Sequence, residues 1–170
     1  MEEIWKPIEN YENYSVSTFG QVRNNATGRI LKGHDINGKG RLNVSLCKNG
    51  IVKEFLIYRL VAIAFIPNPE DKPEIDHINN DLSNNKIENL RWATRQENSR
   101  NTKVRSDNAS GVKGVYWDKR NKKWDASIRI DGITVHLGLF DTIEEATIAR
   151  QTRANLAFGI FTNECETILI

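Results

Sequence analysis

Residues 74–98 read Glu74-Ile75-Asp76-His77-Ile78-Asn79-Asn80-Asp81-Leu82-Ser83-Asn84-Asn85-Lys86-Ile87-Glu88-Asn89-Leu90-Arg91-Trp92-Ala93-Thr94-Arg95-Gln96-Glu97-Asn98. No other segment of the chain packs carboxylates, amides and a histidine so closely. Its centre is a polar, Asn-rich loop, the composition of turns whose side chains bond nearby backbone. Thr94-Arg95-Gln96-Glu97 has the form of a capping box, in which the Thr oxygen and the Glu carboxylate satisfy the first amides of a helix. A short helix is therefore predicted from about Arg95, with Asn98 on it. A calcium loop starting at Asp76 is excluded, because its sixth position is Asp81 where glycine is needed and its twelfth is Ile87 where a bidentate acid is needed. Residue by residue, an Asp-His pair and an Asn-rich loop have ordinary turn explanations. The combination and its spacing point to chemistry.

Working outward, residues 14–22, 41–47 and 52–58 alternate in short stretches broken by Gly28, Gly33, Gly38, Gly40 and Gly50, a pattern of antiparallel strands and turns. Residues 59–66 are apolar and predict a buried helix ended by Pro67 and Pro69. Residues 102–110 are polar throughout and read as a linker. Beyond it, residues 115–117, 124–130 and 133–140 read as strands, the last two joined by the hairpin signal Asp131-Gly132. Thr142 and Glu145 then cap a helix running to about Phe158 and stopped by Gly159. In the middle strand Trp124, Ala126, Ile128 and Ile130 alternate with Asp125, Ser127 and Arg129, so one face meets the helix and the other is polar. The fold class is α+β: a small antiparallel module (1–57), a ββα unit (58–101), a linker (102–110), a three-stranded sheet with one helix (111–160) and a tail (161–170).

Of the 170 residues, 39% are apolar and 27% charged, ordinary globular usage. No apolar run reaches the length of a membrane span and no targeting segment is visible, so a soluble protein acting in the cytoplasm is expected, without a membrane partner. Cys47 and Cys165 are far apart and lack zinc-knuckle spacing; they are read as structural thiols in a reducing compartment, with no structural zinc. Net charge is only +2, but residues 102–130 carry eight basic and three acidic side chains, against two and six in 131–170. That division predicts a basic face opposite an acidic one, as on a surface that docks on phosphates.

Arg59-Leu60-Val61-Ala62, Ile75-Asp76-His77, Asn89-Leu90-Arg91-Trp92-Ala93-Thr94 and Asn98 resemble the HNH homing endonucleases over residues 58–101. The resemblance implies metal-dependent scission of double-stranded DNA by a homing or mobile-element nuclease, phage-encoded relatives included. By position it implies Asp76 and Asn98 as metal ligands, His77 as general base and Asn89 as the residue that fixes the histidine ring. Asn98 stands where the family name has its second histidine, a substitution common among relatives with the Asn-Leu-Arg-Trp signature. Arg91 and Trp92 receive no chemical role. The residue types suit the task. A hard divalent cation, magnesium or alternatively manganese, takes oxygen ligands and keeps waters. A neutral imidazole can accept a proton from water near pH 7. No small-molecule cofactor is implied. One such site in the chain predicts a nicking monomer.

Trp5-Lys6-Pro7-Ile8, Tyr11, Tyr14-Ser15-Val16-Ser17 and Gly20-Gln21-Val22-Arg23 are similar to the NUMOD4 module that often precedes this nuclease. Gly111-Val112-Lys113-Gly114-Val115, Lys123 to Arg129, His136 to Thr142 and Glu144-Glu145-Ala146 resemble the AP2 domain. That resemblance implies a sheet laid in the major groove with Lys113, Tyr116, Arg129 and His136 facing outward. Lys119, Arg120, Lys122 and Lys123 would meet phosphates, which set register without reading bases. AP2 relatives in plants have arginine at Tyr116 and tryptophan at His136, so the recognised base sequence does not transfer. The competing function is an AP2-type DNA-binding regulator with an inactive nuclease remnant; a third, an RNA-processing or structural protein, would bind without cutting. The target sequence is not legible.

Overall fold

Three short antiparallel sheets and one helix share the first hydrophobic core of this computed structural model, which describes residues 2–166. Met1 and the last four residues of the expected tail, 167–170, lie outside the described residues. Strands β1 (Trp5–Ile8), β2 (Tyr11–Ser17) and β3 (Val22–Asn24) form the first sheet in chain order. Strands β4 (His34–Asp35), β5 (Leu42–Lys48) and β6 (Ile51–Leu56) form the second. Helix α1 (Ile57–Phe65) follows directly; Ile66 is extended, as a residue before proline must be. Ile57, Tyr58, Leu60, Val61 and Ala62 of α1 are buried together with Val16, Val22, Val44 and Leu46 of the sheets and Ile75 and Leu90 of the next elements. Residues on both sides of the expected 57/58 boundary thus share one core, within the first of two compact units, 1–98 and 99–170.

Strands β7 (Glu74–His77) and β8 (Leu90–Ala93) pair antiparallel, and helix α2 (Arg95–Arg100) follows. The predicted capping box is present: Glu97 N donates to Thr94 Oγ1 at 3.2 Å, and Thr94 N donates to Glu97 Oε2 at 2.7 Å. The two four-residue strands of the ββα unit, which the family resemblance implies, show too little alternation to be located by pattern. Pairing of Ile75 with Trp92 and of His77 with Leu90 creates them.

In the second unit, β9 (Val115–Asp118), β10 (Lys123–Ile130) and β11 (Ile133–Phe140) form an antiparallel sheet with β10 central, crossed by α3 (Ile143–Phe158). Asp131 and Gly132 both take positive φ, as the hairpin between β10 and β11 requires. Thr142 and Glu145 form the expected reciprocal cap of α3. Val115 and Ala126 pack with Ala146, and Ile128 packs with Ala154 and Phe158, so the predicted apolar face is the one beneath the helix. Residues 159–166 pack on this unit. Glu166, 2% exposed, binds Arg150 of α3 at 2.6 Å and Lys113 at 3.0 Å, and Asn163 donates to Asn101 Oδ1 at 2.8 Å. Cys47 and Cys165 are free thiols, and both are exposed.

Candidate active site

β7 presents Glu74 and Asp76 on one face, since side chains two apart on a strand point the same way. Opposite Asp76 in the register is Arg91 of β8. Its Nε donates to Asp76 Oδ2 at 2.7 Å and its Nη2 lies 2.5 Å from the same oxygen, with the Asp76 side chain only 4% exposed. Glu74 Oε2 accepts from Nδ2 of Asn98 on α2 at 2.6 Å. This bond brings Asn98 to the Glu74 and Asp76 face and engages the nitrogen end of its amide, so Oδ1 is the end suited to a cation. The structure therefore places Asn98 against Glu74, two residues from Asp76 along the same strand.

His77 ends β7, where the chain turns with Asn80 N donating to His77 O at 2.9 Å. The ring is buried, 4% exposed, with the Tyr58 ring edge-on at 5.0 Å. Burial lowers its pKa below the ordinary value of 6.5; the Asn85 amide and the charges of Asp76 and Asp81 oppose this, and Arg41 reinforces it. A buried imidazole with depressed basicity is neutral at pH 7, the form that can accept a proton.

Asn89, expected to fix the histidine ring, bonds to the loop backbone. Its Oδ1 accepts from Asn79 N at 3.0 Å and its Nδ2 donates to Asn84 O at 2.8 Å, so the side chain staples the two ends of the Asn-rich loop. Asn85 instead faces the ring, with Oδ1 3.4 Å from His77 Nε2. The single 3-10 turn at Ile87–Asn89 separates these two asparagines in space. Sequence reasoning missed Asn85, one of several asparagines with no distinguishing neighbour, and Arg91, whose charge is meaningful only once its strand is paired with β7.

In the second unit, Tyr116, Asp125, Ser127, His136, Arg129 and Thr134 share the sheet face away from the apolar residues beneath α3, as their pairing shows. Tyr116, Arg129 and His136 are exposed, in agreement with the outward face expected of them. The middle of this face is not basic, because Asp125 Oδ1 sits 3.3 Å from His136 Nε2; burial together with Asp125 raises the Tyr116 pKa. Lys119, Arg120 and Lys122 are exposed around the turn between β9 and β10. Lys123 is half-exposed and pairs with Asp141 at 3.0 Å. Lys113, expected to face outward, is turned inward: its Nζ is held by the buried carboxylate of Glu166, and its side chain is 16% exposed.

Among the described residues, no group of three or more His, Cys, Asp or Glu side chains is placed to hold a metal. A carboxylate and an amide oxygen on one face are nonetheless an all-oxygen pair that fits a hard divalent cation whose remaining positions are taken by water or phosphate.

Residues 3–47 match the NUMOD4 motif, and residues 56–100 match the HNH endonuclease family. The chain is 45% identical over 101 residues to an uncharacterized HNH endonuclease of Acanthamoeba polyphaga mimivirus, covering 56% of this chain and 25% of that protein. It is 40% identical over 98 residues to DNA endonuclease I-HmuI of Bacillus phage SP01, covering 57% of this chain and 56% of that one. The chain thus spans a quarter of the length of the first relative and about half that of the second. A solved structure describing DNA binding and cleavage by the HNH homing endonuclease I-HmuI aligns with a TM-score of 0.54 and 35% identity, over 80% of this chain and 77% of that one. The matched segment holds Asp76, His77, Asn89 and Asn98, and the α+β arrangement of small antiparallel sheets agrees. The chain belongs to the HNH endonuclease family, with a NUMOD4 motif ahead of the nuclease segment.

Proposed function

We propose that the protein is a metal-dependent DNA endonuclease that hydrolyses one phosphodiester at a time, so that a monomer nicks. The observation that carries this reading is the buried, neutral His77 beside Asp76, with Asn98 brought to the Asp76 face of the same hairpin. The relatedness to I-HmuI, whose structure concerns DNA binding and cleavage, supports DNA as the substrate. His77 takes a proton from the attacking water. Arg91 keeps the Asp76 carboxylate oriented, and Glu74 keeps the Asn98 amide turned so that its oxygen is available. Asp76 and Asn98 would hold a divalent cation, magnesium by preference, which supplies stabilisation of the charge on the leaving oxygen.

The second unit we assign to holding DNA, as an AP2-like sheet. Tyr116, Arg129 and His136 would face bases, and Lys119, Arg120 and Lys122 would meet phosphates. Lys123 would join them on releasing Asp141. The test is incubation of purified protein with supercoiled plasmid and magnesium. Nicked circles that need the cation, and that disappear with His77→Ala, are expected. Binding without any cut would favour the regulator with a silent nuclease. Linear product with no nicked precursor, from a protein monomeric by sedimentation, would overturn the one-strand assignment.

A further inference from the structure

The turn between β2 and β3 runs alongside the Asn-rich loop, residue against residue. Ile87 N donates to Thr18 O at 2.8 Å, Lys86 Nζ lies 5.8 Å from the centre of the Phe19 ring, and Gly20 packs on Asn85. The last contact leaves no room for a side chain: a Cβ on Gly20 would lie 2.7 Å from Asn85 Cβ and 2.8 Å from Asn85 O. Gly20 also has φ of +78°, a conformation that L side chains rarely adopt. Thr18 is 5% exposed and Asn85 4%, so both are interior, while the Phe19 and Lys86 contact lies at the surface. The Asn85 amide meets the His77 ring, its side-chain hydrogen-bond partner among the described residues. At 3.4 Å this bond is long, as bonds to a catalytic base often are before substrate closes the site.

We propose that Asn85 is the positioning residue for His77, and that the N-terminal turn Thr18-Phe19-Gly20 holds Asn85 in place, so that the NUMOD4 segment completes the nuclease site. The proposal rests on His77 being the general base. An acceptor oxygen at Nε2 selects the tautomer that carries its proton there, which places the ring's lone pair on Nδ1. Two features tell against a merely structural asparagine. A buried amide is costly unless bonded, and here its side-chain partner is the imidazole. The other candidate, Asn89, has both polar atoms committed to loop backbone.

The experiment combines ring NMR with single-turnover nicking, both on the full chain. The chain has three histidines, so 15N-histidine labelling gives three ring systems, and His77→Gln identifies the one of interest. Wild-type His77 is expected to be protonated at Nε2. Asn85→Ala should change that tautomer ratio and slow nicking at least ~10-fold, the lower range for losing the partner that orients a functional histidine, with DNA affinity unchanged within about twofold. Asn85→Asp, which keeps an acceptor, should restore the wild-type tautomer. Gly20→Ala should disturb the His77 ring, whereas Gly28→Ala, with a similar φ of +69° and nothing within 4 Å of the added carbon, should not. An unchanged ring in Asn85→Ala, or equal effects of the two glycine variants, overturns the proposal. Failure of the function itself is told apart, because it shows as undiminished cutting by His77→Ala, or no cutting by the wild type, while the ring spectra still decide the role of Asn85.

Discussion

Replacing Arg91 with methionine removes one half of a buried ion pair and leaves the other half in place. The Asp76 side chain is 4% exposed and that of Arg91 14%, and both guanidinium contacts fall on Asp76 Oδ2. Breaking a fully buried pair costs ~3–5 kcal/mol, because an uncompensated charge stays desolvated, whereas an exposed pair contributes ~0–1 kcal/mol. Arg91 retains some contact with water, so a loss of about 2–3 kcal/mol is expected for Arg91→Met. Methionine keeps an unbranched stem, so most of the packing survives and the loss reports charge. Adding Asp76→Asn removes the stranded carboxylate, and the double variant should recover about 1–2 kcal/mol of the loss. Native-state hydrogen exchange of the β7 and β8 amides, at pH 7 without divalent cations, measures this in the full chain without requiring the two units to unfold together. A loss below ~0.5 kcal/mol, or a double variant no more stable than the single, would refute the view that this pair holds the hairpin.

His77→Ala should lower the nicking rate at least ~100-fold in single-turnover assays, and a chelator should abolish nicking altogether. Since burial depresses the His77 pKa and the neutral ring is the active form, the rate should rise with pH to a plateau, with its midpoint below the usual histidine value of 6.5. The same shift has a stability consequence: the unfolded chain binds the proton more readily, so the contribution of His77 is present above pH 6.5 and is lost as pH falls towards the depressed value. A rate profile with its midpoint above 6.5, where chemistry limits, would rule out this buried base. Changing the three exposed cations Lys119, Arg120 and Lys122 to alanine should reduce the log–log salt slope by roughly 2.7, measured by fluorescence anisotropy. Arg129→Ala should weaken binding to a preferred site more than to random DNA, while Lys122→Ala should weaken both alike; equal losses for the two variants on both DNAs would mean that the sheet grips only backbone.

What could be read from residues alone was set by interactions spanning a few positions. The capping boxes Thr94 with Glu97 and Thr142 with Glu145, the Asp131-Gly132 hairpin and the stop before Pro67 each depend on backbone groups within four residues, so their location follows from local chemistry. The Asp76-His77 pair and Asn98 were recognisable by their resemblance to the HNH homing endonucleases, and the polar face of β10 by alternation. Tertiary structure decided the rest. β7 and β8 have four residues each and exist because they pair. The segments on either side of 57/58 share a core because α1 packs on the sheets before it. Arg91 finds its carboxylate 15 residues away and Lys113 finds Glu166 53 residues away. Which asparagine meets His77 depends on how one 3-10 turn presents Asn85 and Asn89, and on a glycine that lets the N-terminal turn press against Asn85. Charge partners and close approaches of this kind are products of chain packing. Local preference fixes where an element begins or ends, but it carries no information about which distant side chain will neutralise a buried charge.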